Sequence, residues 1–277
     1  MALLEGYGNL SAAGGKVFDF GFGNFTYVLQ YKFFLQCLAN TMLLCVITVP
    51  ISTVLALLIA VCLNAIKPLQ KLLQTIFFLP YVTNSIAIGM VFAAMFNMIA
   101  GPTPGVYDSV GIINNVLEAF GMDPINWINT GSEYWANIVV LVVYIVWNAL
   151  PFKILVLLGG LQGINKQYYD AAKVDGTSRF RTFMKITVPL LSPMIAYVVI
   201  TGFIGGFKEY SSIVGIFGDQ MGPPGNKGSL NTMVGFIYDS LKTDAQGRAS
   251  AAAIILFGII FVVTMINMYV SKKKTHY

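Results

Sequence analysis

Asp170, Lys173, Asp175, Arg179, Arg181 and Lys185 fall within one stretch, Tyr168 to Pro193, of a chain that is 56% hydrophobic and only 10% charged. Charges clustered between long apolar runs mark a loop presented to water, and no nucleophile–base pair stands out for bond-making. Conventional chemistry is scarce elsewhere too. The single histidine, His276, sits on a basic tail, which excludes a histidine-based catalytic or metal site. Cys37, Cys45 and Cys62 lack C-x2-C spacing and read as small apolar residues. No G-x4-GK-[ST] loop occurs, so this chain is expected to bind no ATP and to need no cofactor of its own. The remaining polar candidates interrupt apolar runs: Asn84, Ser85, Trp147, Asn148, Lys208, Glu209 and Tyr210, read as candidates for lining a pathway. Ionisable groups in hydrocarbon cost at least ~2.5 kcal/mol each, so they are expected to face a bundle interior, a partner or water. Lys153 is expected to snorkel to the headgroups. Lys208 and Glu209 either mark the outer end of a span or line the mouth of the path, two readings that the sequence leaves open.

The elements that must position these residues are membrane spans. Mean hydropathy is +0.72, with 20 Phe, 14 Tyr and 12 Met in 277 residues, which predicts an all-α, polytopic helical membrane protein. Apolar runs at about 35–63, 72–99, 137–161, 190–217 and 249–270 are each long enough to cross a bilayer, giving about five spans. The net charge of +5 is that of a membrane protein whose basic residues collect on the cytoplasmic side, and nucleic acid is not an expected partner. With 64–71, 162–189 and 271–277 inside, ten Lys and Arg lie inside and five outside, while the loop from Ala100 to Ala136 holds none. That asymmetry puts Lys173 in the cytoplasm and Asp108 and Gly225 outside. Residues 1–34 then form an extracellular segment, and 35–277 a transmembrane domain with a cytoplasmic loop at 162–189. Pro50, Pro80 and Pro151 each remove a backbone donor within a run, freeing the carbonyls of Val46, Ile76 and Trp147.

Within the charged loop, local order is readable. Asn165 suits an N-cap, and Tyr168 to Val174 is helix-forming, with Ala171 and Ala172 small enough for another surface to approach closely. Gly176 offers a left-handed turn and Ser178 can cap a second short helix, on which Phe180, Phe183 and Met184 share an apolar face. Pro189 suits the first turn of the helix that follows.

The order Asp170-Ala171-Ala172, Asp175-Gly176, Phe183, Ile186, Pro189 and Pro193 resembles the EAA loop of ABC-importer permeases, with Asp170 in place of the usual Glu. With a span on either side, the chain resembles the binding-protein-dependent sugar permeases of the maltose and glycerol-phosphate transporter type. The resemblance implies a type I ABC-importer transmembrane domain that is not itself an enzyme. It also implies that Asp170, Ala171, Ala172, Asp175, Gly176, Phe183 and Pro189 form a coupling helix docking into an ATPase subunit. Implied partners are two ATP-binding cassette ATPases that hydrolyse the ATP, a second permease in a heterodimer, a periplasmic or extracellular solute-binding protein, and membrane lipid. The implied location is a bacterial or archaeal plasma or inner membrane, crossed several times.

Such permeases usually begin with one further span entering from the cytoplasm. Residues 1–34 contain none, so either the start lies downstream of the true one or the protein has five spans; a downstream start is expected. Other solutes, such as polyamine, phosphate or sulfate, remain open as cargo, and a stand-alone secondary transporter remains as the competing class. The absence of an internal repeat weighs against the latter, as does a loop shaped for an ATPase.

Overall fold

A computed structural model of the chain describes residues 2–5, 19–66, 70–101, 107–243 and 245–274. Two short antiparallel pairs are present, β1 (Leu4–Glu5) with β2 (Asp19–Phe20), and β3 (Met98–Ala100) with β4 (Tyr107–Val110). Everything else that is regular is helical. In chain order the helices are α1 (Gly23–Gln30), α2 (Lys32–Ala65), α3 (Gln70–Val82), α4 (Ser85–Phe96), α5 (Ile112–Ala119) and α6 (Tyr134–Gln162), followed by α7 (Lys166–Val174), α8 (Arg179–Thr182), α9 (Val188–Phe207), α10 (Ser211–Phe217), α11 (Met233–Lys242) and α12 (Gln246–Lys274).

Among the described residues, four helices are long and apolar enough to span a bilayer: Lys32–Ala65, Tyr134–Gln162, Arg179–Phe207 and Gln246–Lys272. The expected run at 72–99 is instead two helices of 13 and 12 residues, each only ~20 Å long at 1.5 Å per residue. The break has a local cause. The Thr83 hydroxyl donates back to the Leu79 carbonyl at 3.0 Å, and Asn84, with extended backbone, accepts the Ile86 N–H at 2.9 Å and starts α4. The run at 190–217 likewise stops as a span at Phe207. There the Glu209 carboxylate accepts the N–H groups of Tyr210 at 3.2 Å and Ser212 at 3.1 Å, and so opens the separate helix α10. Pro50, Pro151 and Pro193 lie inside α2, α6 and α9.

The chain divides into two compact units whose boundaries fall inside the long helices: 1–46, 84–145 and 206–260 in the first, 47–83, 146–205 and 261–277 in the second. In the second unit, Ala56, Ala60 and Leu63 of α2 pack with Ile154, Leu157, Leu158 and Leu161 of α6 and Leu191 and Val198 of α9. Small residues at i and i+4 on α2 let these helices approach closely. The first unit is pinned by polar groups as well as apolar ones. Asn40 donates to the carbonyls of Ser229 and Asn231, both at 2.9 Å, and accepts the Tyr134 hydroxyl at 2.8 Å. Helices α4 and α10 touch backbone to backbone, since a Cβ on Gly89 would come within 2.7 Å of the Gly215 Cα. No residue larger than glycine fits there.

Candidate coupling and pathway sites

The charged loop folds as its residues direct. The Asn165 side chain accepts the Gln167 N–H at 3.0 Å and caps α7. At the other end, Gly176 has φ +66, the Thr177 N–H reaches the Ala172 carbonyl at 2.9 Å and the Gly176 N–H reaches that of Lys173 at 3.1 Å. This is the paired-bond termination in which a left-handed residue satisfies the last carbonyls of a helix, and glycine adopts that conformation without a Cβ penalty. Ser178 then caps α8, accepting the Arg181 N–H at 3.4 Å.

The second helix is not short, however. Residues 183–187 form a π-helical turn, in which the Val188 N–H bonds to the Phe183 carbonyl, and α8 continues through it into α9. Pro189 follows at once. An α-helical ladder would need its missing N–H for the Lys185 carbonyl, and the widened turn falls where that bond cannot form. The Tyr169 hydroxyl lies 3.2 Å from the Thr187 hydroxyl, tying α7 to this turn.

Exposure sorts the loop residues. Ala172 is only 5% exposed, covered by its own chain, so the expectation that it offers a contact to another protein is corrected. A helix turns successive side chains by about 100°, which leaves Ala171 exposed while its neighbour is buried. Asp170, Asp175, Gly176 and Pro189 are exposed and Phe183 is half-buried. Asp170 and Lys173 pair at 3.7 Å, but both are solvated and such a pair contributes little. More informative are two large apolar side chains that stand in the open, Val174 at 88% and Phe180 at 75% exposure. Beneath the loop, a groove of about 620 Å³ runs from Asn165 and Tyr168 along Gly159, Gly160 and Gly163 of α6 and its C-terminal turn to Met194 of α9.

The pathway candidates divide between the units. Asn84, Ser85, Lys208, Glu209 and Tyr210 belong to the first, Trp147 and Asn148 to the second. Several have structural work. Asn84 is the α4 cap, the Ser85 carbonyl accepts the Tyr144 hydroxyl, and Glu209 opens α10 while its carbonyl accepts the Thr232 hydroxyl at 2.8 Å. Tyr210 packs on Tyr238 with ring centroids 4.7 Å apart. Lys208 is exposed, and Trp147 and Asn148 are half-buried.

Lys153 overturns an expectation. It does not snorkel: it is 4% exposed, and its ammonium donates to Ser52 Oγ at 2.7 Å, Thr53 Oγ1 at 2.9 Å and the Val49 carbonyl at 3.2 Å. Helix α9 closes over it at Gly202, where a Cβ would lie 3.2 Å from Nζ. Three oxygen acceptors within 3.2 Å satisfy the ammonium inside the second unit. The signal was the presence of Thr48, Ser52 and Thr53 beside Pro50 in an otherwise apolar run.

Apolar helices long enough to cross a bilayer, with a charged, capped loop between two of them, define a polytopic membrane protein. The pattern of the binding-protein-dependent transport system inner membrane component family matches residues 52–276, and the chain belongs to that family. It is 30% identical over 253 residues to the arabinooligosaccharides transport system permease protein AraP of Halalkalibacterium halodurans, covering 91% of this chain and 75% of that one. It is also 30% identical to the lactose transport system permease protein LacF of Rhizobium radiobacter over 89% of this chain and 78% of that one. The trehalose/maltose transport system permease protein MalF of Thermococcus litoralis is 29% identical over 91% and 79%. Among solved structures, a bacterial ABC transporter involved in import of the acidic polysaccharide alginate superposes with a TM-score of 0.76 at 21% identity, over 93% of this chain and 85% of that one. The fold is thus that of an ABC-importer transmembrane domain, and the chain is membrane-embedded.

Proposed function

We propose that this chain is one transmembrane half of an ATP-driven importer for a sugar or oligosaccharide, lying in a bacterial or archaeal plasma membrane and catalysing no reaction itself. A solute-binding protein delivers the cargo from outside, a second permease completes the path, and two ATPase subunits hydrolyse ATP on the cytoplasmic side. The observation that carries the reading is the capped loop of α7, Gly176 and α8, with Val174 and Phe180 held out in water. Leaving such side chains exposed forgoes about 25 cal/mol for every Å² that a partner would cover. An ATPase cleft is the partner that suits a rigid, two-helix protrusion from a permease. The cargo reading is supported by the sugars named in the relatives' descriptions.

The test uses Val174→Asp and Phe180→Asp, which change exposed positions and spare the caps. Both are expected to reach the membrane at normal levels, to lose co-purifying ATPase, and to reduce sugar uptake roughly tenfold or more, the equivalent of about 1.4 kcal/mol in docking. If both variants retain the ATPase and transport at the unmodified rate, the loop is not the coupling element.

A further inference from the structure

The first unit contains a cleft of about 510 Å³ that the coupling function does not use. Its size is that of a small-molecule site. Asn97, Asn129, Asp219 and Gln220 supply polar groups, and Ile216 and Phe217 an apolar wall. The polar groups are partly pre-arranged. Asn129 donates to the Asn97 side-chain carbonyl at 2.7 Å while accepting the Met98 N–H at 3.1 Å. That leaves the Asn97 amide nitrogen as a donor in a cleft also lined by Asp219, whose carboxylate accepts, and by Gln220, whose amide can do both. Mixed donors and acceptors next to an apolar face match a sugar ring, which has hydroxyls at its edge and C–H groups on its faces.

Charge narrows the choice further. Among the residues lining the cleft, Asp219 is the one charged side chain and none is Lys, Arg or His, Lys227 following three positions after Pro224. Recognition of a carboxylate or sulfonate normally uses an Arg or Lys, and the Asp219 carboxylate repels ligands of its own sign. We propose that this cleft is a saccharide site that admits uncharged sugars and excludes acidic ones. The inference rests on the sugar-importer reading and specifies its cargo class.

The test is uptake by cells carrying the complete importer, with this chain as the only permease of its kind. Labelled maltotriose and arabinotriose serve as neutral probes, trigalacturonate and trimannuronate as acidic ones. Neutral probes are expected to enter roughly tenfold or more faster than acidic ones. Gln220→Ala, at an exposed position, and Asn97→Ala should raise the half-saturating concentration of the neutral probe by about fivefold, equivalent to one lost hydrogen bond. Asp219→Asn should narrow the neutral-to-acidic ratio while the binding protein stays the same, so that the change reports the cleft and not the delivery step. Faster entry of the acidic probes would overturn the inference and leave the importer reading standing. An unchanged half-saturation in both alanine variants, or an unchanged ratio in Asp219→Asn, would overturn the site. Entry of none of the four probes, with the chain present in the membrane, would sink the sugar-importer reading together with the inference built on it.

Discussion

Lys153 poses the main energetic question at the scale of single residues. Its acceptors do not depend on it: Ser52 Oγ also donates to the Thr48 carbonyl at 2.6 Å, and Thr53 Oγ1 to the Val49 carbonyl at 2.7 Å. Removing the cation therefore leaves satisfied hydroxyls, whereas removing the hydroxyls leaves a buried charge short of partners. Lys153→Met is expected to change the unfolding temperature in detergent little, because Met fills similar space without a charge to solvate. Ser52→Ala combined with Thr53→Val should destabilise by about 1–3 kcal/mol, the cost of an under-satisfied buried donor. Equal losses from the two changes, measured by thermal unfolding, would mean that the lysine stabilises through its charge and not through packing. Gly202 belongs to the same cluster, and Gly202→Val should be the most damaging of all, since even its Cβ would lie 3.1 Å from Val49 Cγ1 and 3.2 Å from Nζ.

At the scale of elements, the loop owes its shape to one glycine and one widened turn. Gly176→Val forces a β-branched residue to φ +66, costing about 1–2 kcal/mol, or else the turn reorients. The variant should insert normally and lose uptake and ATPase retention together, while Gly176→Ala loses less. Asp170→Glu, which keeps the charge on an exposed side chain, should transport normally. Ala172→Arg behaves differently from the exposed positions. With 5% of its surface accessible, a long side chain there must push α7 off its own support, so the expected outcome is reduced folded protein on size-exclusion chromatography and not a clean uncoupling. The π-helical turn is how α8 runs on into the following span despite Pro189.

At the scale of the whole molecule, the five-run reading of the basic residues, ten inside and five outside, predicts an orientation that labelling tests. Single cysteines introduced at Lys173 and Lys227, both exposed, in a chain with Cys37, Cys45 and Cys62 replaced, should label oppositely with an impermeant thiol reagent. Position 227 should react in intact cells and position 173 only after permeabilisation. Lys227 is preferred to its neighbour Gly225, whose φ of +88 would strain any cysteine placed there. Strong labelling at 173 in intact cells would invert the orientation and remove the coupling loop from the ATPase side.

What the residues determined by themselves was local or compositional. The capping by Asn165 and Ser178 and the turn at Gly176 were legible because each depends on groups within about five residues along the chain, and the membrane class because apolar length is a property of composition. The break after Thr83 was missed because an Asn and a Thr within an apolar run look like isolated polar residues until their hydrogen bonds to backbone are seen. Tertiary structure alone decided that Ala172 is covered while Ala171 is exposed, because which face of α7 is covered depends on what packs against it. It alone placed Lys153 against acceptors about one hundred positions away on α2. It also gathered Asn97, Asn129 and Asp219 into one cleft, since burial and convergence belong to the contacts between elements and leave no mark on the sequence of any one of them.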